Sequence, residues 1–379
     1  VFLQQLGRGL CLSEDKECLT VLDFIGQANK KYNFEDKFAA LLSNTTRGVT
    51  REIRDGFISL PKGCYIQLEK KAARYILDNI RSSYGNSAGL VARIATFEED
   101  TDQKLTLENF LDHYRLDPRS IYKFSSFSRL CARADVTENF EEPIENVMTK
   151  ALSRFACVDS RRWIAFMLRI LTNPGYPDFA KLTEIEKRML RMFYITMWGK
   201  AIEDWTADEV SENIHALLNS PTMLSELIAL LRYNYNRIDF IDEPVDLGFD
   251  CPLDLHCSYT REQLLVAMDF MKPSIVREGV KWLPDKNIDV FFITLNKSDK
   301  DYSPTTMYQD YSINETLFHW QSQSTTNAEG KVGQRYINHR KNGSKVLLFV
   351  REFKNDIYGN TAPYTYLGTA NYVSHNGSR

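Results

Sequence analysis

The stretch DVFFITL, residues 289–295, decides the fold class, because an apolar and partly β-branched run of this length is typical of a buried strand. Residues 345–350 (KVLLFV) and 364–370 (YTYLGTA) have the same character. Asn342-Gly343, just ahead of the second run, is a pair typical of a tight turn. The chain beyond Pro244 is therefore predicted to be rich in β-structure.

The residues before this region have a different periodicity. From about residue 33 to residue 231 the apolar side chains recur mostly at helical spacing, as in the run 224–231. Three threonines stand three residues ahead of a polar partner, which is the spacing of a helix N-cap or capping box: Thr106 with Asn109, Thr183 with Glu186, and Thr206 with Glu209. The sequence predicts an α+β fold, with a mostly helical N-terminal and middle region followed by a β-rich domain.

Charge is distributed unevenly between these regions. The chain has a formal net charge of -3, yet residues 261–379 hold 15 Lys and Arg against 12 Asp and Glu. From residue 331 onward there are 8 basic residues and only 2 acidic ones. Such a positive C-terminal end favours contact with a phosphate backbone, although an ordinary solvated surface would show the same composition.

The arrangement of the cysteines and the hydropathy of the sequence bear on the cellular compartment of the protein. The 7 cysteines are scattered without paired spacing, which fits a reducing environment better than a disulfide framework. No signal peptide and no apolar run of about 20 residues is present. We expect a cytoplasmic protein.

The N-terminal stretch LQQLGRGL contains Gln4-x-x-Gly7-Arg8 and is followed by LTVLDFIG, which is typical of a strand in a parallel sheet. This combination resembles the QxxGRxxR signature at the end of the second RecA-like lobe of restriction-type DEAD/DEAH helicases of superfamily 2. The resemblance implies that Gln4 and Arg8 face a nucleotide. Cys11 stands where the last arginine of the signature would stabilise transition-state phosphate charge.

Catalytic motifs are missing from the rest of the sequence. There is no GxxxxGK[ST] phosphate loop, and none of the 6 histidines begins the HxK(x)4D motif of a phospholipase D-like nuclease. The chain alone is therefore expected to be inactive and to need no cofactor. ATP and magnesium are expected only for the full-length enzyme that the resemblance implies.

A second resemblance covers roughly residues 30–379. The segments DYSPTTMY (301–308) and FHWQSQ (318–323), with the later GSKVLLFVREFK, resemble the C-terminal region of ATP-dependent, modification-directed (type IV) restriction endonucleases. Those enzymes consist of a phospholipase D-like nuclease, a helicase, a helical coupler and a target-recognition domain. The resemblance implies a C-terminal β-barrel-like domain of the SRA/PUA-like kind that holds a modified cytosine.

Side chains suited to an extruded base are concentrated in this region. A reader of a modified base needs aromatic faces for stacking and polar groups for the base edge. Phe318 and Trp320 are equally suited to an apolar core, whereas the polar run from Gln321 to Gln323 is harder to bury without partners. The candidates for base recognition are Tyr308, Asp310, Tyr311, His319, Trp320, Gln321 and Gln323.

Basic residues near these candidates are expected to contact phosphates. The candidates for phosphate contact are Lys297, Arg340, Lys341, Arg351 and Lys354.

A metal site is not expected. Cys251 and the His256-Cys257 pair do not match the spacing of a common zinc site.

The sequence thus predicts three segments: residues 1–30 as the end of a RecA-like lobe, 31–250 as a helical coupler and 251–379 as a β-rich recognition domain. We expect a C-terminal fragment of a helicase-nuclease that binds DNA containing modified cytosine. Its expected partners are that DNA, the helicase core and the nuclease domain. The alternative is a protein-interaction scaffold of a helicase complex, without base recognition.

Overall fold

The computed structural model describes residues 87–114, 116–173, 181–204, 206–297, 310–323 and 326–376. It also describes short pieces at 20–21, 52–53, 57, 60, 66–69, 72–73 and 76. The chain divides into two compact units, Val1–Asn139 and Phe140–Arg379.

The described part of the first unit is helical. Phe97 and Phe110 are fully buried, with ring centroids 5.6 Å apart. The Thr106 side chain accepts a hydrogen bond of 3.1 Å from the backbone N–H of Asn109, as the capping pattern predicts. The helices are α1 (Ser87–Thr101), α2 (Leu107–His113), α3 (Arg119–Tyr122) and α4 (Phe127–Arg133).

Among its described residues, the second unit begins with five further α-helices. Both predicted capping boxes are confirmed, because Thr183 and Thr206 each exchange hydrogen bonds with the glutamate three residues later. Trp163 is fully buried and donates from its indole N–H to the carbonyl of Met189. The helices are α5 (Glu145–Phe155), α6 (Arg161–Thr172), α7 (Glu184–Trp198), α8 (Ala207–Leu218) and α9 (Pro221–Asn236).

A five-stranded mixed sheet follows these helices, with strand order β1-β7-β6-β3-β2. Its central pair, β3 and β6, is parallel, and the other neighbouring strands are antiparallel. The remaining elements are α10 (Arg261–Ala267), the hairpin strands β4 (Tyr311–Ser312) and β5 (Phe318–His319), and α11 (Lys331–Ile337). The sheet strands are β1 (Ser258–Tyr259), β2 (Val280–Leu283), β3 (Ile288–Thr294), β6 (Lys345–Arg351) and β7 (Tyr364–Ala370).

The two faces of the sheet bury different sets of side chains, because successive residues of a strand point to opposite faces. Phe291 and Ile293 of β3 form a core cluster with Tyr336 of α11. Phe292, which lies between them in sequence, is on the opposite face and contacts Tyr364, with ring centroids 5.5 Å apart. All seven residues of β3 are buried, as expected for a central strand covered on both sides.

The mixed α+β class is confirmed, with helices before a C-terminal sheet. The described strands form an open sheet whose edges are β1 and β2, so the barrel-like closure is not confirmed. Within the described residues, no individual helix has both the length and the apolar composition needed to cross a membrane. One bent pair, Asp208–Leu218 with Pro221–Asn236, meets those two criteria only when taken together.

Candidate functional site

Four of the sequence candidates lie outside the described residues: Gln4, Gly7, Arg8 and Tyr308. The nucleotide-facing role of the first three therefore stays a prediction, and so does the base-recognition role of Tyr308. The other candidates are all in the second unit.

The β4–β5 hairpin presents two aromatic side chains on its outer side. Tyr311 and His319 are directly opposite each other in the register, and their rings stack with centroids 4.7 Å apart and planes 13° apart. Tyr311 is 50% exposed, and His319 is exposed as well. At the tip, Asn314 Oδ1 accepts hydrogen bonds from the backbone N–H groups of Thr316 and Leu317, which fixes the turn. The hairpin thus carries an exposed aromatic platform of the kind on which bases stack.

The inner side of the same hairpin anchors it to the sheet. Phe318 and Trp320 pack against the core cluster of the sheet. The Trp320 ring lies 4.1 Å from that of Phe291 and 5.6 Å from that of Tyr336, measured between centroids. Trp320 therefore fixes the position of the hairpin, while His319 between the two inner residues points outward.

Asp310 is buried at the base of the hairpin and has two partners. Its Oδ2 is 2.7 Å from Lys297 Nζ, and its Oδ1 accepts a hydrogen bond of 2.9 Å from the backbone N–H of Gln321. The side chain of Lys297 is only 9% exposed. These two candidates therefore connect the end of β3 to the hairpin. Gln321 and Gln323 are both half-buried.

The four remaining phosphate candidates differ in their surroundings. Arg340 and Lys341 are exposed in the turn after α11, and Arg340 Nε donates to Asn371 Oδ1 over 2.9 Å. Arg351 donates to the Thr294 hydroxyl and to the Ala362 carbonyl, and it lies over the ring of Tyr364. Lys354 is half-buried. Of these four candidates, only Arg340 and Lys341, in the turn after α11, are exposed to solvent.

A cavity of about 530 Å³ opens beside this turn, between α11 and the connection from β2 to β3. Three basic side chains line it, namely Lys331, Arg335 and Lys341, and Trp282 forms part of its wall. Amide side chains supply most of the remaining lining, together with Ser344. No carboxylate is among the lining residues in the described part of the chain.

Arg335 is held rigidly at the edge of this cavity. Its Nε and Nη2 donate to the two carboxylate oxygens of Asp289, which is fully buried in β3, over 2.7 and 2.8 Å. These hydrogen bonds raise the pKa of Arg335, so the guanidinium stays charged. The guanidinium also lies over the indole of Trp282, 4.4 Å from the ring centroid. Arg335 and Trp282 thus form a fixed, stacked wall.

Sequence reasoning missed Trp282, Lys331 and Arg335. Lys331 and Arg335 are four residues apart, which puts them on one face of any helix that contains both. Asp289 stands at the start of an otherwise apolar strand. Because a buried carboxylate needs a cationic partner, it indicated that a basic residue such as Arg335 packs against the strand. The cavity itself depends on the placement of β2 beside β3, which no local pattern specified.

One group of potential metal ligands lies elsewhere in the second unit. Asp242, Asp254 and Cys257 bring one ligand atom each within 4.8 Å of one another. Arg161 already binds Asp242, and Arg162 Nη2 is 2.6 Å from Asp254 Oδ1. Burial raises the pKa of the Cys257 thiol, which disfavours the thiolate that a metal would need. We assign no ion to this group.

Comparison with known proteins gives one family match. Residues 253–379 match the family described as "Domain of unknown function (DUF3427)", which corresponds to the part of the chain that contains the sheet, the hairpin and the cavity. No curated protein matches the chain.

Proposed function

We propose that the region from residue 251 onward binds DNA through the face of the sheet that carries the β4–β5 hairpin and α11. We further propose that this region belongs to an ATP-dependent helicase-nuclease and reads modified cytosine for it. The matched family is found in helicase-associated proteins, which is consistent with that setting.

One observation carries the proposal: an aromatic platform and a cationic helix are side by side on one face of the sheet. Trp320 of the hairpin and Tyr336 of α11 both contact the ring of Phe291, at 4.1 and 5.3 Å between centroids. The exposed Tyr311–His319 stack and the basic residues around α11 are therefore neighbours. Proteins that bind nucleic acid combine these two features, because cations follow the phosphates while aromatic rings stack on bases.

Reading of a modified cytosine is the finer part of the proposal, and it rests on the resemblance to modification-directed restriction enzymes. Tyr311 and His319 offer the stacking surface that an extruded base requires. Gln321 and Gln323 remain candidates for hydrogen bonds to the base edge. Asp310 and Lys297 contribute by holding the base of the hairpin, since each already has the other as a partner.

The test is a paired titration of the full chain against identical duplexes with and without 5-methylcytosine. We expect wild-type protein to bind both, with a preference for the modified duplex. Tyr311→Ala should reduce the preference by about tenfold, because base contacts alone distinguish the two duplexes, while affinity for the plain duplex changes little. Since Tyr311 is half exposed, the substitution should leave the fold intact.

Val136→Ala is a suitable control, because Val136 is another exposed apolar residue and belongs to the first compact unit. Absence of DNA binding by the wild-type chain at low salt would contradict the whole proposal and favour the scaffold alternative. Binding without any preference among modified cytosines would contradict base reading alone.

A further inference from the structure

We propose that the cavity beside α11 binds one nucleotide of a DNA strand, with Lys331 and Lys341 contacting its phosphate. This inference rests on the proposed DNA-binding function and adds a ligand site separate from the hairpin. None of the residues of the β4–β5 hairpin lines this cavity.

The charge of the cavity selects an anion. Lys331 and Lys341 are exposed, and neither is paired with a carboxylate in the described part of the chain. Arg335 is the third cation, and the carboxylate of Asp289, which accepts two hydrogen bonds from it, already balances its positive charge. Two uncompensated ammonium groups therefore face a cavity without a carboxylate lining, and a phosphate group is a suitable partner for them.

The size and wall of the cavity fit more than a bare phosphate. The cavity is open to solvent on one side, and its volume of about 530 Å³ exceeds what a bare phosphate needs. The stacked pair of Arg335 and Trp282 forms one wall, and the ion pair with Asp289 fixes the plane of the guanidinium. A wall that is ordered before binding loses little conformational entropy when a ligand arrives.

The amide groups provide the polar contacts that a sugar and a base need. Asn287, Gln334, Asn338 and Asn342 all line the cavity. Gln334 Oε1 accepts a hydrogen bond of 2.8 Å from Asn338 Nδ2, which fixes the orientation of both amides. Side-chain amides offer a donor and an acceptor together, which matches base edges, whereas inorganic phosphate has no such edge. The geometry therefore favours a nucleotide over a free phosphate ion.

The experiment compares two variants of the full chain for binding to a short, fluorescently labelled oligothymidylate, measured by anisotropy over a range of salt concentrations. The cavity variant is Lys331→Gln with Lys341→Gln. The matched control is Lys272→Gln with Arg277→Gln, which removes the same charge from two exposed residues that do not line the cavity.

We expect the cavity variant to bind about tenfold more weakly and its salt dependence to fall by ~0.7 units of slope, because the two lysines contact one phosphate of a single strand. The control should keep the wild-type slope. A cavity variant that behaves like the control, while wild-type protein binds DNA, would overturn the cavity site and leave the proposed function standing. Wild-type protein that binds neither duplex nor single-stranded DNA would overturn both.

A competition experiment separates the possible sources of the phosphate. Thymidine 5′-monophosphate should displace the oligothymidylate from wild-type protein at a lower concentration than inorganic phosphate does. With the cavity variant, thymidine 5′-monophosphate should no longer displace the oligothymidylate at a lower concentration than inorganic phosphate. Equal displacement by both competitors would overturn the nucleotide assignment, because only the anion would then be recognised.

Discussion

Asp159 shows how one residue makes the stability of the second unit depend on pH. It directly precedes the N-cap of α6, and its Oδ1 accepts a hydrogen bond of 2.6 Å from the backbone N–H of Ser258, the first residue of β1. Burial raises the pKa of Asp159 to about 7 even though this hydrogen bond favours the charged form, and nearby Asp242 adds to the increase.

The direction of the pH effect follows from this pKa. Between about pH 4, where an unfolded aspartate titrates, and about pH 7, the folded protein keeps a proton that the unfolded chain has lost. The free energy of unfolding should therefore decrease as the pH rises through this window. Asp159 contributes at most about 1.4 kcal/mol per pH unit to that slope.

Asp159→Asn should flatten this slope, since an amide keeps the acceptor for Ser258 without titrating. Urea unfolding across this pH window measures the effect, and Asp285→Asn is the matched control because Asp285 is exposed. An unchanged slope in the Asp159 variant would assign the pH dependence to other carboxyl groups.

For individual residues, helix capping was predictable from the sequence, whereas the partners of buried side chains were not. Thr183 and Thr206 were identified correctly because a capping box is local, spanning three residues. The partnership of Asp310 with Lys297 joins the end of β3 to the hairpin, so no short pattern revealed it. The alternation of Phe318, His319 and Trp320 did contain a signal, since residues two apart in a strand share a face.

At the scale of elements, α11 is attached to the sheet by the ion pair between Arg335 and Asp289. Burial raises the pKa of the Asp289 carboxyl, and Arg335 opposes this effect. Arg335→Met should destabilise the protein by about 3 to 5 kcal/mol, because it leaves a fully buried carboxyl group without its partner. Urea unfolding near neutral pH measures the loss.

Adding Asp289→Leu to this variant provides the control. The double variant should recover most of the lost stability, because an apolar pair of similar volume replaces a buried ion pair at little net cost. A double variant as unstable as Arg335→Met alone would show that the stacking of Arg335 on Trp282, rather than the charge, holds α11 in place.

The strands themselves were predictable, but their pairing was not. The runs 289–295, 345–350 and 364–370 correspond to β3, β6 and β7, because buried central strands need continuous apolar sequence. Parallel pairing of β3 with β6 brings together segments separated by the hairpin and α11. Asn342-Gly343 lies in a turn, with Gly343 at a φ of 66°, yet that turn joins α11 to β6.

In the overall organisation of the second unit, polar contacts join helix α7 to α10 and to the connection between β2 and β3. Asp269, after α10, binds Arg188 of α7 at 2.9 Å and Lys286 of the β2–β3 connection at 2.6 Å. Gln263 of α10 donates to the buried hydroxyl of Thr196 of α7 over 2.9 Å. The compact unit accordingly spans Phe140–Arg379 and includes most of the helices before the sheet.

This continuity predicts how fragments of the chain will fold. A fragment of residues 140–379 should unfold in a single cooperative transition, whereas residues 251–379 alone should lack stable tertiary structure. Without the helices, Tyr259 and Leu264, both fully buried, would be exposed, and Asp269 would lose Arg188. Each fully exposed apolar side chain of this size costs about 1.5 to 3 kcal/mol, so a few of them exceed the net stability of a small domain.

Urea unfolding and the dispersion of amide proton resonances distinguish the two fragments. Asp269→Ala in the longer fragment is the intermediate case, since it removes the ionic contacts while the apolar contacts remain. Its unfolding midpoint should fall without loss of cooperativity. A folded, cooperative fragment of residues 251–379 would contradict this prediction and support a separate recognition domain with the boundary at residue 250, as the sequence alone suggests. If instead only the longer fragment folds, any signal from bound DNA must reach the helices through a continuous core, because the helices and the sheet would then form one cooperative unit.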